Sequence, residues 1–266
     1  MSYSLNIRGQ LFSLDTPQVM GIINATPDSF YTASRQQSEA ALCDRLCQIM
    51  AEGGTLVDVG ACSTRPGAPL PSEQEEIARL RKALTTLRDA IDRLECAPPV
   101  LSVDTFRPDV ARMAVEEFGA DIINDVSEGS EAMFRMVARL SRPYILTSTQ
   151  PDLRSTLLTF AQKVQQLRDF GQKDIILDPG FGFGKTLKQN YALLNELDRL
   201  LVMELPLLVG ISRKSMIYKK LNCTPEEALN GTTALNTVAL MKGASILRVH
   251  DVRQACECCQ LIEYLK

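Results

Sequence analysis

Polar residues that could do chemistry recur where short apolar segments of this chain end. Asp104, Asn124 and Asp178 each stand at or next to the end of such a segment and offer a carboxylate or an amide group. These groups form directional hydrogen bonds, and together they suit a flat heterocycle that carries several N–H donors. The three residues therefore predict a binding site for a ring-shaped small molecule.

A second set of polar residues suits a polyanion, because guanidinium groups bind phosphate oxygens in bidentate geometry. This set comprises Asn24, Arg65, Arg248 and His250. Taken singly, any of these positions is more often a helix cap, a solvated charge or a satisfied structural residue than part of a site. Their shared position after apolar segments favours a pocket divided between a ring and a pyrophosphate.

The apolar segments predict the fold that brings these residues together. Eight of them are rich in β-branched residues, which is typical of parallel strands buried on both faces. They span residues 19–25, 56–60, 100–105, 122–125, 144–149, 175–178, 207–212 and 246–250. With helical patterns between them and no linker, they favour one (β/α)8 TIM barrel over residues 1–266, whose strand ends form a single rim. Periodicity alone leaves an open, doubly wound sheet possible.

Local signals predict a leading hairpin and several helix ends. Alternating residues around Arg8-Gly9 indicate a β-hairpin within residues 4–15 that plugs one end of the fold. Ser38 can cap a helix that runs to residue 52, and Ser72 with Glu75 has capping-box spacing ahead of a long helix. Further helices are predicted over 108–118, 131–140, 153–170, 187–201, 226–242 and 252–265.

Composition narrows the class of protein. A formal charge of -3 argues against general affinity for nucleic acid or an anionic membrane. The first 15 residues lack a secretory pattern, and no apolar run reaches the length of about 20 residues that a membrane helix needs. We therefore expect a cytoplasmic protein with reduced thiols. The cysteines at 256, 258 and 259 lack a second ligand pair at zinc spacing and predict an apolar helix face.

The glycine-rich loop at residues 180–186 fits neither common nucleotide motif. A Walker loop would need glycine at the position of Pro179, and a dinucleotide motif would need it at Lys185. The glycines instead predict a close approach of backbone to a ligand, with loop flexibility as the alternative.

Seven segments of the chain resemble, in order, the signature segments of the dihydropteroate synthases. They are residues 24–30, 63–68, 104–105, 119–125, 178–186, 210–215 and 248–252. The resemblance covers nearly the whole chain. It implies an enzyme that joins p-aminobenzoate to 6-hydroxymethyl-7,8-dihydropterin pyrophosphate, and a homodimer formed through the late helices.

The resemblance also implies a role for each site residue. It places Asp104, Asn124, Asp178 and Lys214 on the pterin. It places Asn24, Arg65, Arg248 and His250 on the pyrophosphate, with Mg²⁺ near Asn24. The aminobenzoate would lie against Thr64, Pro66, Phe183 and Ser212. The groups expected to act in catalysis are Lys214, Arg65, Asp104, Arg248 and His250.

One segment departs from the family pattern. The fifth strand usually ends in Met-His-Met, whereas here it ends in Thr147-Ser148-Thr149. A methionine at that place packs on the pterin face, so a threonine reduces apolar contact. This change motivates a second reading, a catalytically silent paralogue that binds pterin. A corrinoid-type pterin methyltransferase is a third, although such an enzyme has no need of Ser63-Thr-Arg-Pro or Arg248-Val-His.

Overall fold

A computed structural model of the protein describes residues 3–25, 35–62 and 70–265, with the backbone alone at 35–38. Its centre is a barrel of eight parallel strands, which agrees with the predicted TIM barrel. The strands are β3 (Gln18–Asn24), β4 (Leu56–Gly60), β5 (Val100–Asp104), β6 (Ile122–Asp125), β7 (Tyr144–Thr147), β8 (Ile175–Asp178), β9 (Leu208–Val209) and β10 (Ile246–Val249).

Closure of the sheet decides between a barrel and an open layer. The strand order is β8-β7-β6-β5-β4-β3-β10-β9, so the first barrel strand pairs with the last in the chain. Between the outer members β8 and β9, the Leu177 amide donates to the Pro206 carbonyl at 2.9 Å, and Leu177 bridges Leu207. The sheet therefore curls into a nearly closed barrel, and the doubly wound alternative is wrong.

Nine α-helices cover the outside of the described barrel. They are α1 (Arg35–Ala51), α2 (Glu73–Ile91), α3 (Pro108–Phe118), α4 (Glu131–Leu140), α5 (Leu153–Asp169), α6 (Leu187–Asn195), α7 (Ser215–Leu221), α8 (Leu229–Met241) and α9 (Val252–Glu263). The Ser72–Glu75 capping box is present at the start of α2, as predicted. On α9, Cys258 is buried in the core, and Cys256 and Cys259 pack against it, which confirms the apolar face.

Two helix predictions need correction, and one observed helix was not predicted. The first helix begins at Arg35, ahead of the predicted Ser38 cap. The helix predicted over 187–201 divides into α6 and a 3-10 helix, Leu197–Met203, because buried leucines at 194, 197 and 200 repeat every three residues, the 3-10 period. The seven-residue α7 is too short for its periodicity to be recognised in the sequence.

The amino-terminal hairpin closes the bottom of the barrel, as predicted. Strands β1 (Ser4–Ile7) and β2 (Gln10–Ser13) meet at Arg8 and Gly9, which both have positive φ, the requirement of a tight two-residue turn. Its side chains pack on apolar residues near the start of every barrel strand. This cluster contains Leu5, Ile7, Leu14, Met20, Leu56, Val100, Ile122, Ile145, Ile176, Leu208 and Ile246.

Polar side chains fill the next layer of the barrel interior. Side chains alternate along a strand, so residues two positions beyond the apolar layer also face inward. That layer includes Asp58, Ser102, Asn124, Thr147, Asp178 and Arg248. The barrel is therefore apolar where the hairpin plugs it and polar towards the carboxyl ends of its strands. None of the described helices is long and apolar enough to cross a membrane.

Candidate active site

The carboxyl ends of the strands bring the predicted ring-binding residues together. Asp104 and Asn124 are register partners on β5 and β6, and Asp178 closes β8. Burial raises the pKa of Asp178, while the nearby Lys214 and Arg248 cations act in the opposite direction. Residues that are far apart in sequence therefore share one interior.

Asp58, which a search of strand ends does not find, organises this interior. It is fully buried and accepts hydrogen bonds from Arg248 Nε at 2.6 Å, Asn124 Nδ2 at 3.0 Å and the Ser102 hydroxyl at 2.6 Å. Asp58 lies in the middle of an apolar strand, two residues before its end. A buried charge needs compensating partners, so a single Asp inside an apolar strand is the sequence signal that could have identified it.

Arg248 links Asp58 to Asp104. Its Nη2 donates to Asp104 Oδ2 at 3.0 Å while its Nε holds Asp58. Burial raises the pKa of Asp104, and the Arg248 cation opposes that shift. The guanidinium is thus in direct contact with the predicted ring-binding set, and its contact with a pyrophosphate stays a prediction.

The glycine-rich loop after β8 is held firmly in place. Gly180 has φ of 69°, and a Cβ there would lie 1.9 Å from the Ser148 carbonyl oxygen, so only glycine fits. The Gly180 amide donates to Asp178 Oδ1 at 2.8 Å. Lys185, which sequence reasoning did not select, donates from Nζ to the carbonyls of Ser148 and Gly180 at 3.0 and 2.9 Å. Gly180 therefore serves close packing of the loop against β7, and the approach of the loop backbone to a ligand stays a prediction.

Lys214 projects a partly buried amine towards the same interior. Its Nζ donates to the Phe181 carbonyl at 2.6 Å and lies 4.7 Å from the centroid of the Phe183 ring. Burial lowers the pKa of Lys214 to about 8, although the Asp178 carboxylate partly opposes this. The residue precedes α7 as its N-cap position, but its side chain is not a solvated helix start.

A pocket of about 400 Å³ opens beside the ends of β3 and β10. It is lined by Ile22, Asn24, Arg45, Arg213, His250 and Asp251. Two of the predicted pyrophosphate ligands, Asn24 and His250, thus line the same pocket. Arg213 is neutralised by a bidentate ion pair with Asp251, at 2.9 and 2.8 Å. Arg45 on α1 was outside the sequence prediction because the middle of a helix gives no site signal.

The charge state of His250 follows from its surroundings. Desolvation by the surrounding residues and the nearby Arg248 cation lower the pKa of His250 to about 4, although the residue is exposed by its accessible surface. Its imidazole is therefore neutral at pH 7. Arg45 Nη2 donates to the His250 carbonyl at 2.6 Å and fixes the backbone at this place.

The predicted aminobenzoate residues are only partly described. Phe183 lies beside the Lys214 amine, and the Ser212 hydroxyl lies 3.2 Å from His250 Nδ1. Thr64, Arg65 and Pro66 lie outside the described residues. The structure thus brings the described residues of the predicted ring-binding set and of the predicted pyrophosphate set to one rim. The contribution of residues 63–69 stays a prediction.

Comparison with known proteins places the chain in a family. A model described as "Pterin binding enzyme" matches residues 20–250. The dihydropteroate synthase of Escherichia coli strain K12 is 36% identical over 272 residues, covering 96% of this chain and 94% of that protein. This chain belongs to the dihydropteroate synthases.

Solved structures of dihydropteroate synthases agree with that assignment. The Xanthomonas albilineans enzyme, solved with 4-aminobenzoic acid, matches with a TM-score of 0.90 and 33% identity over 100% of this chain and 98% of its own. The Coxiella burnetii enzyme, in complex with pteroic acid, matches with a TM-score of 0.86 and 33% identity over 99% and 98% of the two chains. The whole barrel is therefore shared.

The end of the fifth barrel strand contains a buried threonine whose hydroxyl is unpaired among the described residues. Thr147 pairs in register with Asp178 and is 1% exposed. Its hydroxyl oxygen and the Asn124 Oδ1 atom are buried without a hydrogen-bond partner among the described residues. The loop beyond is fixed by Glu128, which accepts from the Thr149 amide at 2.6 Å. The strand end is ordered, with two unused hydrogen-bonding atoms in the barrel interior.

Proposed function

We propose that this chain catalyses the dihydropteroate synthase reaction. p-Aminobenzoate condenses with 6-hydroxymethyl-7,8-dihydropterin pyrophosphate to give 7,8-dihydropteroate and pyrophosphate. The observation that carries the proposal is the shared rim, on which the buried Asn124 and Asp178 and the largely buried Asp104 adjoin a pocket lined by Asn24 and His250. Relatives solved with 4-aminobenzoic acid and with pteroic acid support the choice of substrates.

The buried acceptors would bind the pterin ring. Asp178 uses Oδ1 to accept from the Gly180 amide, and its Oδ2 would accept from the ring N–H and the exocyclic amine. The buried Asn124 Oδ1 atom has no described partner, and a ring N–H donor would satisfy it. Lys214 would donate to a ring acceptor, and Asp104, oriented by Arg248, would complete the site.

The neighbouring pocket would hold the departing pyrophosphate. Asn24 and His250 line it, and Arg65 and Arg248 would bring the positive charge that phosphate oxygens attract. The donor set also suits Mg²⁺, because the Asn24 amide oxygen is a hard ligand and Mg²⁺ often binds through one or two protein groups plus phosphate oxygens. When bound, the ion would neutralise charge that develops on the leaving group.

Positioning and electrostatics would supply the rate. The bond between the pterin methylene and the pyrophosphate oxygen breaks, and cations around the departing oxygens stabilise the charge they gain. The arylamine nitrogen then bonds to the electron-poor methylene and loses a proton. No covalent enzyme intermediate is needed. The aminobenzoate would lie between Phe183, beside the Lys214 amine, and the residues Thr64, Pro66 and Ser212.

We also propose a cytoplasmic homodimer assembled through the late helices. Met241 at the end of α8 is 67% exposed, and Leu261 on α9 is 71% exposed. These two helices are neighbours on the barrel surface, so the exposed side chains could contribute to one apolar face. Sedimentation of the purified protein would test the dimer, and a monomer at micromolar concentration would contradict it.

The decisive activity test is pyrophosphate release from the purified protein. We expect release only when both the dihydropterin pyrophosphate and p-aminobenzoate are present, and dependence on added Mg²⁺. Folded protein that binds pteroic acid yet releases nothing above background would favour the silent paralogue. Methyl transfer from a reduced methylfolate to a corrinoid protein, without pyrophosphate release, would favour the methyltransferase.

A further inference from the structure

His250, the single histidine of the chain, makes three contacts with two residues, Ser212 and Arg45. The His250 backbone amide donates to Ser212 Oγ at 3.2 Å, and its ring Nδ1 lies 3.2 Å from the same oxygen. Its carbonyl accepts from Arg45 Nη2 at 2.6 Å. One hydroxyl therefore contacts both the backbone and the ring of a residue that lines the anion pocket.

The hydrogen bonds that Ser212 can make determine which tautomer of the His250 imidazole is favoured. A backbone amide can only donate, so Ser212 Oγ is the acceptor in that bond and still has a proton to give. If Nδ1 is unprotonated, it accepts this proton and both contacts are satisfied. If Nδ1 carries a hydrogen, the Ser212 proton is left without a partner among the described residues, although the residue is only 5% exposed.

Protonation of the whole ring is disfavoured by the same surroundings. The pKa of His250 is lowered to about 4 by desolvation and by Arg248. A neutral imidazole carries one N–H, so a hydrogen bond at Nδ1 decides which ring nitrogen donates. With Nδ1 accepting from Ser212, the donor is Nε2, for which no hydrogen bond to the described residues is formed.

We propose that Ser212 is a positioning residue that holds His250 as the neutral Nε2–H tautomer, so that Nε2 donates to an oxygen of the leaving pyrophosphate. This role rests on the proposed function and is additional to the contact of Ser212 with aminobenzoate proposed above. It gives the pocket a neutral donor at His250, while Arg65 and Arg248 would supply the positive charge.

One histidine makes the tautomer directly measurable. Protein labelled with ¹⁵N-histidine should give a single pair of imidazole nitrogens in a two-bond ¹H–¹⁵N correlation spectrum. We expect the Nε2–H pattern in the wild type at pH 7, and a shift of the Nε2 signal when inorganic pyrophosphate and Mg²⁺ are added. An Nδ1–H pattern or a doubly protonated ring in the wild type would overturn the proposal.

Two Ser212 variants separate positioning from substrate contact. Ser212→Ala should give a mixture of tautomers and lower kcat about tenfold, the scale of a weakened hydrogen bond to a charged group. Ser212→Thr retains the hydroxyl and should keep the Nε2–H pattern. A Ser212→Ala protein that keeps the wild-type tautomer and shows only a raised KM for p-aminobenzoate would overturn the positioning role.

Replacing the histidine provides an independent readout. His250→Gln places a neutral amide donor near the position of Nε2, and His250→Asn places one near Nδ1. We expect the Gln variant to retain at least about tenfold more activity than the Asn variant, again from one hydrogen bond to a charged oxygen. Equal activities would count against Nε2 as the donor. The spectra need no turnover, so an inactive wild type would refute the proposed function without deciding the tautomer.

Discussion

The two ends of the barrel interior differ in what their side chains contribute. At the bottom, one apolar side chain from every barrel strand packs against Leu5, Ile7 and Leu14, and Arg8 ties the hairpin to Asp121 with bonds of 2.9 and 2.5 Å. At the top, the interior contains the buried Asp58 and several polar groups, two of them without a described partner. The bottom of the interior is therefore filled by apolar packing, and the top carries buried polar groups that a ligand can bind.

The largest effect should come from removing Asp58. Asp58→Ala leaves the largely buried Arg248 guanidinium, 18% exposed, with one carboxylate partner in place of two. Breaking a buried ion pair costs about 3–5 kcal/mol, so we expect the free energy of unfolding to fall by about that amount, together with loss of pyrophosphate release. Denaturant unfolding and the activity assay measure the two losses.

Two further substitutions control for this prediction. Asp58→Asn keeps the volume but not the charge, and should lose activity even if it folds. Asp92→Asn, at the exposed end of α2, should change stability by no more than about 0.5 kcal/mol. Full activity in a folded Asp58→Asn protein would show that Asp58 is not needed to orient Arg248.

A substitution at the bottom of the barrel should lower stability and leave the activity of the folded protein unchanged. Leu5 is 1% exposed, and Leu5→Ala should lower the free energy of unfolding by about 2–5 kcal/mol through the cavity it leaves. The kcat/KM of the folded variant should stay at the wild-type value. Leu11→Ala on the same hairpin, where the leucine is 82% exposed, is the matched control. A fall in kcat/KM for Leu5→Ala would mean that the two ends are not independent.

The sequence predicted the barrel well because buried parallel strands are apolar over their whole length. Strand β4 was predicted at its observed bounds for that reason, and the polar residues at strand ends indicated the rim. The search for polar residues at strand ends did not identify Asp58, because Asp58 lies inside a strand. It also overlooked Arg45, since its bond to the His250 carbonyl joins elements 205 residues apart. Contacts of that kind depend on how helices dock, which local patterns do not encode.

A smaller effect is expected for the ring site at the top. Asp178→Asn can place an amide N–H where the Gly180 amide or a ring N–H donates, and such a mismatched buried hydrogen bond costs about 1–3 kcal/mol. Calorimetry with pteroic acid should show affinity reduced by about tenfold or more. Asp198→Asn, a surface carboxylate paired with Lys242, is the control. Undiminished affinity would remove Asp178 from the site.

The smallest effect on stability is expected from removing the Thr147 hydroxyl, which has no described hydrogen-bond partner. Thr147→Val removes a buried oxygen without a described partner and keeps the shape of the side chain, so we expect stability to rise by up to about 1 kcal/mol. Thr232→Val is a matched control, because the Thr232 hydroxyl bonds to the Ala228 carbonyl and the Arg213 amide at 2.8 and 3.0 Å. That variant should be destabilised. A loss of stability in Thr147→Val would mean that its hydroxyl is satisfied in the folded protein.

The most direct test of the divided rim is a crystal structure of the protein with pteroic acid and pyrophosphate bound together. We expect the pterin ring to contact Asn124 and Asp178 inside the barrel, and the pyrophosphate to contact Asn24 and His250 in the adjoining pocket. A pterin ring bound away from Asp178, or a pyrophosphate bound on another face of the barrel, would contradict the division of this rim into a ring site and an anion site.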